Sequence, residues 1–205
     1  MSPYSFILGE DDMNASTDLR IRKTYLALHN AFTELLEKER FENFTVNELC
    51  DRAMIRRATF YKHFADKYDY FAFYAKEMVA EFQSQLTPFS QKDAHEYLLS
   101  MCRQLLQFMV QHKKMVLNIK NSTVFHALLS ILVEQTSHDV VQVLQQSELH
   151  KTVNKKQLKN LASFYVGGII NVVLSNLHPD GSPDEELLTS VQSILCNLKS
   201  TTLGQ

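Results

Sequence analysis

Helix-breaking residues are scarce in this chain. Its 205 residues include only 5 glycines and 4 prolines, separated by long gaps. Hairpins and tight turns draw on both residue types, so the scarcity argues against a β-rich fold and favours long helices. Cysteine is sparse too: Cys50, Cys102 and Cys196 are odd in number, far apart and form no CxxC pair. That pattern argues against a disulfide framework or a zinc site and suits a reducing compartment. No apolar run approaches the ~18 residues of a membrane span; the longest, near residues 164–174, is interrupted by Asn171. The first residues are acidic (Glu10, Asp11, Asp12) and lack the apolar segment of a secretory signal. The expectation is a soluble, cytoplasmic protein with no membrane partner.

Catalytic constellations are absent as well. The eight histidines are scattered, with no HxxxH or HExxH, and neither a GxSxG elbow nor a phosphate-binding Walker loop occurs. His126, His138 and His150 are twelve residues apart, more than three helical turns, and do not converge on a metal. The chain reads as a non-enzyme with no catalytic residues, no metal and no cofactor. Net charge is −2, so any affinity for nucleic acid must come from a local patch. A hydrophobic content of 45% is ample for a core.

What is present is helical periodicity. Ile21, Tyr25, Leu28, Phe32, Leu35 and Leu36 recur at steps of three and four, predicting a first helix from Thr17 or Asp18 to about Lys38–Arg40. Thr45-Val-Asn-Glu48 is a capping box, with Phe44 and Leu49 placed as a hydrophobic staple. It opens a short second helix carrying Leu49, Cys50 and Ala53 inward. A break follows at Met54–Ile55, then a third short helix over about Arg57–Phe64. A fourth starts with Asp66 as N-cap and carries Phe71, Ala75, Met78 and Phe82 inward, closing at Pro88. Helical patterning continues over about 91–112, 121–147 and 152–177. A second capping box, Ser182-Pro183-Asp184-Glu185, opens a last helix with Leu187, Leu188, Val191, Ile194, Leu195 and Leu198.

Two short helices joined by a tight turn and backed by a longer one outline a helix-turn-helix. On the third helix Phe60 and Phe64 face inward, while Arg56, Thr59, Lys62 and His63 crowd the other side. From Arg52 to Lys67 the basic residues are Arg52, Arg56, Arg57, Lys62 and Lys67, against the single acid Asp66. A solvated helix face usually mixes signs. A one-sided cationic face suits a DNA groove, arginine reaching guanine edges and Lys or Tyr holding phosphates.

The stretch TVNELCDRAMIRRATFYKHFADKYDYF, Thr45 to Phe71, resembles the tetracycline-repressor (TetR/AcrR) family of bacterial transcription regulators. The shared features are the capped second helix, Ala53 ending it, a turn, then Thr59-Phe60-Tyr61-Lys62-His63-Phe64 and a following Lys67. Similarity is good over about residues 18–71; beyond that only the helix layout matches. The resemblance implies an all-α fold of about nine helices. After a tail over residues 1–15 come an N-terminal three-helix helix-turn-helix DNA-binding domain, 16–65, and a helical ligand-binding and dimerisation domain, 66–205. It further implies that Thr45 and Lys67 contact phosphate, that Arg56, Arg57, Ala58 and Thr59 approach base edges, and that Tyr61 and His63 meet backbone or bases. Arg20, Arg22 and Lys23, near the start of the first helix, could reach flanking phosphates, with solvated charges as the leading alternative. The family turn often has glycine where Met54 stands, a position serving positive φ, so here either the turn is strained or its geometry differs.

The resemblance implies a homodimer on a palindromic double-stranded operator. The dimer candidates lie on the last two helices: Leu161, Tyr165, Gly168, Ile169, Val172, Leu188, Val191 and Leu195. The stripe also takes in Leu158, Ala162 and Val173, and Gly167-Gly168 would let backbones approach. A small-molecule inducer would lie among the middle helices, with Tyr97, Met101, Phe108, Phe125, His126 and Phe164 as candidates, for each of which ordinary core is an equal reading. The function expected is transcriptional repression relieved by a small molecule. The alternatives are an activator, or a regulator-like dimer that works through a partner protein without an inducer.

Overall fold

The computed structural model describes residues 15–84, 94–146, 154–179 and 186–202. Nine helices and no β-strand occur among them: α1 Ala15–Lys38, α2 Val46–Arg52, α3 Arg57–His63, α4 Lys67–Ser84, α5 Ala94–Gln111, α6 Lys113–Lys120, α7 Phe125–Gln146, α8 Lys155–Ser175 and α9 Leu187–Thr202. The all-α reading holds. α1 begins slightly before its expected start. The capping box at Ser182–Glu185 lies outside the described residues, as do Pro88 and residues 1–14.

Two compact units are present. The first runs to Glu81 and takes in Lys114–Leu128; the second takes Phe82–Lys113 and the residues from Leu129. This division differs from a boundary at residue 65, because most of α4 packs with α1–α3 and α6 docks beside them. α6 itself was not foreseen: it contributes only Met115 and Ile119 to the core, too few apolar positions to show a period. Asn118 secures it to α1 by donating from Nδ2 to the Leu36 carbonyl at 2.8 Å. Across the α1–α2 loop, the Thr123 amide donates to Glu42 Oε1.

The first unit has an aromatic core. Phe32 of α1, fully buried, meets Phe44 and Tyr70 edge-on at 5.5 and 5.0 Å between ring centres, with Tyr74 at 4.8 Å. Edge-to-face pairs put the positive rim of one ring on the negative face of the next, worth ~0.5–1.5 kcal/mol each beyond area burial. Tyr74 adds a hydroxyl contact with Thr33 Oγ1 at 2.8 Å. The inner stripe of α4 is therefore partly corrected: Phe71 and Ala75 are buried as expected, Met78 and Phe82 are half-exposed, and Tyr70 and Tyr74 replace them. Both tyrosines look polar by residue type, which hides them from a count of apolar positions.

In the second unit α5 packs against α8 and α9, and α8 against α9. Leu158, Ala162, Val166, Ile169, Ile170 and Val173 form the buried face of α8. Asn154 opens α8 with a capping box to Gln157 that the sequence reading missed. α8 contains an 18-residue window of mean hydropathy 1.3, enough by length and composition for a membrane span. Its apolar side is the one packed into this unit's core, which is how a core helix meets the same criterion.

Candidate nucleic-acid interface

α2 is fixed at its start by Thr45. The Glu48 amide donates to Thr45 Oγ1 at 3.2 Å, and Glu48 Oε2 accepts from both the Thr45 amide and the Thr45 hydroxyl, at 2.7 and 2.8 Å. Phe44 and Leu49 flank the box and are both fully buried, as the staple requires. α2 ends in a Schellman motif: the Met54 amide donates to Asp51 O at 3.2 Å and the Ile55 amide to Cys50 O at 3.0 Å. That motif puts the residue after the cap in the left-handed region, and Met54 has φ +54°. The turn keeps its geometry and carries the strain a side chain brings there, on the order of 1 kcal/mol. The Met54 side chain stands 91% exposed, so packing does not offset that strain.

α3 then crosses the surface with Phe60 buried beneath it and Phe64 at its end. Arg56, Arg57, Ala58, Tyr61 and Lys62 are exposed, and Thr59 is half-exposed. Arg56 occupies the N-cap position, where its donor-only guanidinium cannot cap the helix amides, and its side chain is exposed. The Tyr61 ring is 56% exposed, resting edge-on against Phe60 at 5.4 Å. Arg56, Arg57 and Lys62 make no ion pair among the described residues. All three are exposed cations of the α3 segment.

The five cations seen in the sequence are therefore not equivalent. Arg52 pairs with Glu34 of α1 at 2.7 Å. Lys67 turns inward. Its ammonium donates to the carbonyls of Phe41 and Phe44, both at 2.7 Å, and weakly to Glu42 O at 3.4 Å. It also lies over the Phe41 ring at 4.5 Å. Burial pulls the ammonium's pKa down, opposed by Glu42, Glu48 and Glu39. The head group of Lys67 ties down the α1–α2 loop. Both donors of Thr45 are likewise taken by Glu48. His63 is half-buried against the Tyr25 ring at 5.6 Å. Burial, then Lys62, lowers its pKa, so it adds no charge to the face near neutral pH.

The ligand-pocket candidates divide between the two units. Phe125 and His126 belong to the first unit and the other four to the second. Tyr97 and Met101 are buried core, and the Tyr97 hydroxyl donates to Asp139 Oδ2 at 3.0 Å. Phe108 stacks on His112 at 4.7 Å, His126 is exposed, and Phe164 stands 70% exposed on α8. Of the dimer candidates, Ile169 and Val191 are buried inside this chain, while Leu161, Tyr165, Val172 and Leu188 are half-buried. The side chain of Leu195 lies outside the described residues. The solvent face of α8 instead carries Gln157, Asn160, Phe164, Gly168, Asn171 and Ser175, spaced three or four apart and wholly uncharged. A Cβ added at Gly167 or Gly168 would meet nothing within 4 Å. Of the α8 candidates, Ile169 packs into the chain's own core, whereas Leu161, Tyr165 and Val172 keep part of their surface and Gly168 is exposed.

Residues 30–72 match the profile described as bacterial regulatory proteins, tetR family. The chain is also similar to the HTH-type transcriptional regulator YxbF of Bacillus subtilis (strain 168), 28% identical over 188 residues. That alignment covers 88% of this chain and 46% of the relative, so the chain spans about half the length of the protein it matches.

Proposed function

We propose that this chain is a regulator of the tetR type, whose profile residues 30–72 match, binding DNA sequence-specifically as a homodimer on a palindromic operator. The observation that carries the reading is the patch on α3. Arg56, Arg57 and Lys62 are exposed and without acid partners among the described residues beside an exposed Tyr61, while the neighbouring Arg52 and Lys67 have partners within the chain. Arg56 and Arg57 read base edges in the major groove; Lys62 and Tyr61 hold phosphates. Two such heads on an operator stand about 34–36 Å apart, which requires a two-fold dimer.

The dimer reading is supported by the uncharged outer face of α8. An exposed phenylalanine beside a glycine pair with open space above it is a surface that a second copy covers. Repression, with release by a small molecule that shifts the spacing of the two heads, completes the proposal.

The test is selection of sites from random duplex DNA, followed by anisotropy titration at two salt concentrations. An enriched inverted repeat with a steep salt slope is expected. Arg57→Ala relaxes base preference, whereas Lys62→Ala weakens all sequences alike and lowers the salt slope by roughly 1. A folded dimer that enriches no site removes the operator reading and transfers the function to a partner protein.

A further inference from the structure

In the second unit α7 and α8 diverge to leave an open groove of about 1230 Å³, wider than the ~300–1,000 Å³ usual for small-molecule pockets. Its α7 wall presents Leu129, Val133 and Val141, all half-buried and thus apolar surface still accessible from the groove. Its α8 wall presents Lys155, Lys156 and Lys159 from the first turns of that helix. All three lysines are exposed and have no acid partner among the described residues. The start of a helix adds partial positive charge to the same end. Also lining the groove from α7 is Ser137, 5% exposed, whose Oγ has no hydrogen-bond partner among the described residues. Buried hydroxyls are nearly always paired, so an unpaired one facing a groove calls for an oxygen or nitrogen that the described residues do not supply.

We propose that this groove binds an amphipathic organic anion. Its acidic head lies among Lys155, Lys156 and Lys159, its apolar body lies along Leu129, Val133 and Val141, and a polar atom of the ligand meets Ser137 Oγ. Glu134 also borders the groove and disfavours a second anionic group beside it. The site is separate from the uncharged face of α8 assigned to the dimer, because the lysines and Phe164 lie on different sides of the helix. It deepens the regulator reading by naming where an effector sits and what chemistry it has, and it rests on that reading only for its effect on DNA.

Calorimetric titration of the full-length protein with dodecanoate, below its micelle concentration and without DNA, tests the proposal. One site per chain is expected. Dodecyltrimethylammonium, with the same tail and the opposite charge, is expected not to bind, and acetate, the head alone, to bind far more weakly. Replacing Lys155, Lys156 and Lys159 together by glutamine should weaken dodecanoate by roughly tenfold or more and make the remainder insensitive to salt. The three side chains are exposed, so the variant keeps its helical circular dichroism. Ser137→Val should weaken binding several-fold while leaving the lysines in place. Equal binding of the cation, an unaffected lysine variant, or no dodecanoate binding by the folded protein would each overturn the proposal. Because no DNA is present, these outcomes are independent of whether an operator is ever found.

Discussion

Replacing Lys67 by methionine separates two roles for one side chain. Methionine keeps the apolar stem over Phe41 and Phe44 and removes the ammonium. Two short hydrogen bonds are lost, to Phe41 O and Phe44 O at 2.7 Å; the contact with Glu42 O at 3.4 Å is too long to count. Bonds from a charged donor contribute ~1.5–3 kcal/mol each, and the lower end applies here because the site is only part-buried. The cation over the Phe41 ring adds ~0.5–1 kcal/mol. Releasing a lysine from one rotamer returns up to ~2 kcal/mol. The net expectation is a loss of about 2 kcal/mol, which at ~1–3 kcal/mol per molar urea moves the unfolding midpoint down by roughly 1 M. Urea unfolding followed by circular dichroism measures this. A phosphate clamp predicts the reverse: an unchanged midpoint, with the salt slope of operator binding smaller by roughly 1. An unaltered midpoint together with a reduced slope would refute the loop-tie reasoning.

Met54→Gly should raise stability by about 0.5–1 kcal/mol, since relief of the left-handed strain exceeds the extra freedom of glycine in the unfolded chain; Met54→Ala, which keeps the strain, should not, and equal urea midpoints for the two variants would show the strain is not released. Phe164→Asp should dissociate the dimer without unfolding the chain, because the ring is 70% exposed; sedimentation velocity showing an intact dimer would remove the α8 face from the interface. His29 is half-buried against Tyr74 at 4.8 Å, and burial lowers its pKa below 6.5, with Glu81 opposing. The unfolded chain therefore binds the proton more readily, so stability is lost as pH falls through about 6.5 toward the folded value. His29→Gln should flatten urea midpoints measured between about pH 7 and 5, and an undiminished slope would exclude His29 as the source.

Local chemistry explains what could be read directly. The Thr45–Glu48 box, the Asp66 cap and the turn at Met54 each depend on a few adjacent residues. Asp66 Oδ1 accepts from the amides of Tyr68 and Asp69 at 2.8 and 2.9 Å, as its position before α4 demands. Amphipathic periods of 18 or more residues gave α1, α5, α7 and α8 for the same reason: a stripe at steps of three and four can be buried in only one way. The eight residues of α6 carry too short a period, and they are held by Asn118, whose partner Leu36 is 82 positions away.

Sequence alone determined that this protein is helical, where its helix-turn-helix lies and which side of α3 is cationic, because those properties follow from spacing and residue type within one or two turns. Tertiary structure alone decided which cations are available. Arg52 meets Glu34 and Lys67 meets the carbonyls of Phe41 and Phe44 only once α1, α2 and α4 have packed. It likewise placed Phe164 outside and Tyr97 inside, two aromatic residues with the same local signature. Burial and pairing are properties of neighbours distant in the chain, and no local pattern contains them.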